Sequence, residues 1–154
     1  MPRRNILLAA FAVIAGLIAS VFARIMAPAA AAAAAAAENP KVVYHLCDLD
    51  KISFVLGNIQ NHYDGMGGAN RVTIALVVHG PALRAFHADH ASADVTQRIR
   101  GFARNGLELS ACGNTMRAQN VTLKDLLPGF INAERGGVVR IAELQAQGYA
   151  YLRP

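Results

Sequence analysis

Residues 41–61, KVVYHLCDLDKISFVLGNIQN, change their apolar period part-way along, and that change decides the class of fold. Lys41 to Leu46 is a β-branched and apolar run, the pattern of a strand covered on both faces. From Leu49 onward the apolar residues recur at helical spacing: Leu49, Ile52, Val55, Leu56, Ile59 and Tyr63. Asp50, Lys51, Asn58, Gln60 and Asp64 fill the opposite side. DGMGG (64–68) ends this helix, and RVTIALVV (71–78) is a second buried strand, stopped by HGP. Strand, helix and strand joined by short turns imply parallel pairing.

The alternation continues to the C-terminus. Ser92 is placed to cap a helix with Asp94 in its first turn and an inward stripe of Val95, Ile99 and Phe102, closing at Asn105-Gly106. LELSA (107–111) reads as a third strand. TLKDLL (122–127) opens on a capping-box pair, Thr122 and Asp125, and ends at Pro128-Gly129. A fourth strand is expected around Phe130 and Ile131. A helix follows over 133–147 with Val138, Ile141, Ala142 and Leu144 inward, and then a last strand, YAYL (149–152). The expected class is α/β with helices on both faces of a parallel sheet. There is no internal repeat.

Residues 1–37 read differently. Arg3 and Arg4, an apolar run from Ile6 to Ala23 and a polyalanine end follow the plan of a secretory signal, with Ala35 to Ala37 offering a cut before Glu38. About 18 apolar residues also suffice for an uncleaved anchor over residues 6–23, so both a signal peptide and a membrane anchor are open. Either exports the domain at 38–154 to the periplasm or beyond, because the arginines favour a cytoplasmic N-terminus. The paired arginines are also a partial match to a twin-arginine signal. Without this segment the charge falls from +5 to +2, with 12 Lys and Arg against 10 Asp and Glu and no basic block. A nucleic-acid footprint is therefore not expected, and the membrane is touched only through the N-terminal segment if it stays uncleaved.

Ligands of open α/β sheets gather beyond the carboxyl ends of the strands. Cys47, His79 and Cys112 all fall at such ends. A short helix beginning after Cys112, in CGNTMRAQ (112–119), would stabilise a thiolate through its free N–H groups and dipole. Gly113 lets a sulfur adduct approach the backbone, Asn114 and Thr115 supply hydrogen bonds, and Arg117 supplies positive charge. His79, in the neighbouring strand, is a candidate partner for the thiolate. The alternative is that Cys112 is a small apolar filler sealing a strand end.

ACGNTMRAQNVTLKDLLPGF (111–130), GGVVRIAELQAQGYAYLRP (136–154), KVVYHLCDLDKISFVLGNIQN and HGPAL (79–83) together resemble the DsrE/DsrF-like family, in its branch of small intracellular-sulfur-reduction-type proteins. The resemblance covers nearly all of residues 41–154. It implies a three-layer α/β/α fold around a mostly parallel five-stranded sheet, assembly into homo-oligomers, and in some members carriage of sulfur as a cysteine persulfide between donor and acceptor proteins. Cys112 is the residue that matches the family's cysteine turn. Cys47 departs from the pattern, since a small polar residue is more usual there. The family's sheet order puts the second strand between those carrying Cys47 and Cys112, roughly 9 to 10 Å apart, which implies no disulfide between them.

Other chemistries are poorly supplied. His87 and His90 have an i,i+3 spacing but no cysteine or carboxylate at ligand spacing, so a solvated loop is expected and no metal site is assigned. His45 alternates within the first strand as a core or edge residue, and Asp48 and Asp50 read as helix caps. No glycine-rich stretch forms a phosphate loop, and no serine sits at a strand-to-helix elbow, so neither a nucleotide cofactor nor a serine hydrolase is implied. Two functions stay open: an exported sulfur carrier more than a classical enzyme, using Cys112, and an oligomeric binding or scaffold module in which Cys112 is inert.

Overall fold

In the computed structural model, which describes residues 39–154, five strands form one parallel sheet. They are β1 (Lys41–Leu46), β2 (Thr73–Val78), β3 (Glu108–Cys112), β4 (Phe130–Ala133) and β5 (Ala150–Leu152). Their order is β4-β3-β2-β1-β5, and all four pairings are parallel. The helices are α1 (Ile52–Met66), α2 (Ala93–Arg104), α3 (Gly113–Ala118) and α4 (Gly137–Ala146). The expected export segment at 1–37 lies outside the described residues. Among those described, no helix is long and apolar enough to cross a membrane.

The period of two in the strands sorts the side chains into two cores. Val42, Tyr44, Leu46, Ile74, Leu76, Val78, Leu109 and Ala111 pack on one face against α1, through Val55, Leu56 and Ile59, and α2, through Ile99 and Phe102. Val43, Ala75 and Val77 face the other way, against Ile141 and Leu144 of α4. Helices thus cover both faces, as a sheet of central apolar strands requires. Glu108 of β3 ties α4 down, accepting a hydrogen bond from Arg140 Nη2 at 2.7 Å and one from the buried Ser110 hydroxyl at 3.1 Å.

Several expectations change in detail. Leu49 is exposed, because residues 49–51 form a single 3-10 turn and the helix proper begins at Ile52. TLKDLL yields only the 3-10 turn Leu123–Asp125, although its Thr122/Asp125 capping box is made. The last helix is shorter than 133–147, and two of its four expected inward residues point out, with Val138 69% exposed. The cause is Gly137, where a Cβ would lie 3.2 Å from the Cys112 Cβ and 3.4 Å from that of His79. This close approach makes Gly137, Ile141 and Leu144 the inward stripe, which leaves Val138 and Ala142 on the outer side.

The expected cap at Ser92 forms, with the Val95 N–H donating to Ser92 Oγ at 3.2 Å. Ser92→Ala is expected to cost about 1 kcal/mol, read as a lowered urea midpoint with an unchanged slope.

Candidate functional site

The carboxyl ends of β1, β2 and β3 converge below the start of α4. Register decides which side chains meet there: His45 is opposite Val77, and Val77 is opposite Ser110. Stepping two residues along each strand puts Cys47, His79 and Cys112 on that same face, the one covered by α4.

Cys112 is the last residue of β3 and the N-cap of α3. It is 6% exposed and a free thiol. Burial pushes its pKa up, but four hydrogen bonds outweigh that: one from the Thr115 hydroxyl and three from the backbone N–H groups of Thr115, Gly137 and Asn114. The net effect holds the thiol below its ordinary value, so the thiolate is favoured. Two of these amides belong to α3 and one to α4, so two helix N-termini address one sulfur. The Thr115 hydroxyl also accepts the Gly80 N–H at 2.9 Å, which anchors the α3 turn to the residue after His79.

The remaining expected site residues take distinct places. A Cβ on Gly113 would stand 2.8 Å from Asn132 Oδ1 and 3.0 Å from the Ala133 carbonyl oxygen, so only glycine lets α3 start against the end of β4. The Asn114 side chain accepts a hydrogen bond from Arg117 Nη2, and both residues are exposed. An open groove of about 430 Å³ runs past Gly113, Met116, Arg117 and Asn132. His79 is in ring contact with His45, their planes 23° apart and centroids 4.6 Å apart, and their Nε2 atoms face each other at hydrogen-bonding distance.

His45 was expected only as a core or edge residue, and it is instead the centre of a polar cluster. Its Nδ1 meets the Tyr151 hydroxyl of β5 at 2.7 Å. Burial first, and then the neighbouring His79, pushes its pKa down to about 4, and burial lowers His79 as well. Cys47 is a free, half-buried thiol whose Sγ accepts a hydrogen bond from Arg153 Nη2 at 3.0 Å. Burial and a hydrogen bond with Asp48 push that thiol up, against the pull of Arg153. Asp48 does occupy an N-cap position, but its carboxylate makes no capping bond and pairs with Arg153 at 3.2 Å instead. Strand β2 lies between the two cysteines in the sheet. His87 and His90 do not join this cluster: His87 Nε2 bonds Gln119 Oε1 at 2.9 Å, and His90 lies 3.4 Å from Asp89.

A model of the DsrE/DsrF-like family matches residues 23–154. No curated protein matches the chain. Among solved structures, the protein of unknown function MTH1491 from Methanobacterium thermoautotrophicum is 25% identical with a TM-score of 0.66, over 75% of this chain and 100% of that one. The ychN protein from E. coli is 10% identical with a TM-score of 0.54, over 74% of this chain and 99% of that one, a likeness of fold alone.

Proposed function

This chain belongs to the DsrE/DsrF-like family, and from that membership we propose that it is a sulfur-relay protein in which Cys112 accepts sulfane sulfur and passes it on as a persulfide. The observation that carries the reading is the thiolate-favouring nest at Cys112, made of three backbone N–H groups and the Thr115 hydroxyl. In the transfer, the Cys112 thiolate attacks the outer sulfur of a donor persulfide. A new S–S bond forms as the donor's S–S bond breaks, and the donor thiolate leaves with the electron pair. No net oxidation occurs, and the same amides then face the terminal sulfur, whose charge they stabilise.

The reading includes export by residues 1–37, supported by their arginine start and apolar run, and therefore a donor and an acceptor outside the cytoplasm together with a reducing partner. It also includes a homo-oligomer, supported by the exposed apolar Ile131, Val138 and Val139 on edge strand β4 and helix α4. A second reading, favoured by the 6% exposure of the thiol, is a binding or scaffold module whose Cys112 stays inert.

The deciding experiment exposes the native full-length chain to inorganic polysulfide and weighs it under non-reducing conditions. The carrier gains mass in whole sulfur atoms, reversed by a reductant, retained in Cys47→Ser and lost in Cys112→Ser. No gain in the native wild-type chain sinks the carrier and leaves the scaffold.

A further inference from the structure

We propose that His45, Cys47 and His79 form a binding site for a single zinc-class divalent transition-metal ion, beside Cys112 but without it as a ligand and with one coordination position left to an exogenous ligand. One ligand atom from each of the three side chains lies within 4.8 Å of the other two. They are brought together by register: His45 lies opposite Val77, and Cys47 and His79 follow just past the ends of β1 and β2, two residues further along the same alternation.

The donor set selects the ion. Two imidazole nitrogens and one thiolate suit zinc and its neighbours, whereas calcium and magnesium require oxygen ligands. Zinc holds nitrogen at about 2.0 to 2.1 Å and sulfur at about 2.3 Å, so three ligand atoms around one ion are spaced at roughly 3 to 4 Å. The three ligand atoms already lie within 4.8 Å of one another, so binding an ion asks the side chains to adjust toward that spacing. All three residues are half-buried, which leaves a tetrahedral ion one face toward solvent.

The partners around the three residues are those a metal centre needs. Tyr151 Oη at His45 Nδ1 fixes the ring and leaves Nε2, the atom facing His79, for the ion. Arg153 donates to Cys47 Sγ at 3.0 Å and to Asp48 Oδ2 at 3.2 Å, which orients the thiol side chain. Backbone hydrogen bonds from the His79 N–H to the Leu46 carbonyl oxygen at 3.0 Å and from the Ala82 N–H to the Cys47 carbonyl oxygen at 3.1 Å hold the two segments together. Binding displaces the Cys47 thiol proton to solvent and changes no oxidation state.

Cobalt(II) is the probe, titrated into the reduced full-length chain and followed by absorption. One equivalent per chain is expected to give a thiolate-to-cobalt charge-transfer band, retained in Cys112→Ser, lost in Cys47→Ser and bleached when zinc displaces the cobalt. Tyr151→Phe is expected to weaken binding by about 10 to 100-fold, the loss typical of an outer-sphere partner. Should Cys47→Ser fail to fold, His79→Gln carries the test and is expected to lose more than that. Absence of saturable binding, a band that survives in Cys47→Ser, unchanged affinity in His79→Gln, or a band lost in Cys112→Ser overturns the site. Failure of the polysulfide reaction with this band intact would instead count against the sulfur carrier alone.

Discussion

Thr115→Val is expected to slow alkylation of Cys112 at neutral pH by about three- to tenfold and to speed it at high pH. The hydroxyl donates to the Cys112 sulfur, and a hydrogen bond to a charged group is worth about 1.5 to 3 kcal/mol. Its loss reduces the thiolate fraction below the midpoint by about tenfold or more. A more basic thiolate is also a better nucleophile, with a Brønsted slope of about 0.4 to 0.5, which returns close to half of the logarithmic loss. The rate–pH profile therefore shifts toward alkali and ends on a higher plateau, so the two profiles cross. Thr115→Ser keeps the hydroxyl and should track the wild type. If the valine variant had the wild-type midpoint, the hydroxyl would play no part in holding the charge.

The same hydrogen bonds link ionisation to folding. Because the folded thiol sits below its unfolded value, the thiolate contributes stability that is fully present above the unfolded pKa. That contribution is lost as pH falls through the folded value. Wild type should thus gain stability toward alkaline pH relative to Cys112→Ser, and the gain should shrink in Thr115→Val. His45 has the same sign for a different reason: burial holds it neutral with a pKa of about 4, so acid between its ordinary value and about 4 favours the unfolded chain.

Much of this site was legible in the sequence, and the rest was hidden by chain distance. Unbroken apolar runs at 41–46 and 71–78 separated by one amphipathic helix suffice for a parallel sheet, and the carboxyl-end rule then singles out Cys47, His79 and Cys112. The turn after Cys112 could be read as a helix start, and its Asn114 and Thr115 amides do face the sulfur. The third amide could not be read, because Gly137 is brought in by packing. Its signal was a glycine pair opening a helix just after a strand, which marks a close approach.

His45 was misplaced for a related reason. Within β1 it merely alternates, and its role appears only when the register with β2 and the partners from the chain terminus, Tyr151 and Arg153, are known. Propensity and period describe local structure, whereas a His-x-Cys at the end of one strand and a lone histidine just past the end of the next become a cluster only through tertiary pairing.

Gly113→Ala and Gly101→Ala are expected to move stability in opposite directions, by a combined gap of about 2 to 4 kcal/mol in urea unfolding. Gly101 lies in helix α2 with nothing within 4 Å of an added Cβ, so alanine there only reduces the entropy lost on folding and gains about 1 kcal/mol. At Gly113 the added methyl would meet Asn132 Oδ1 at 2.8 Å, the Ala133 carbonyl oxygen at 3.0 Å and that of Glu134 at 3.1 Å. The asparagine tip can swing away, but two backbone oxygens cannot without displacing the link from β4 to α4, an overpacking cost of about 1 to 3 kcal/mol. That link positions the Gly137 amide, so the same substitution should also shift the Cys112 alkylation profile toward alkali, while Gly101→Ala leaves it in place. A Gly113→Ala protein as stable as wild type and with an unshifted thiol would mean that the strand end yields freely. The close contact between α3 and β4 would then not be what holds the thiolate nest together.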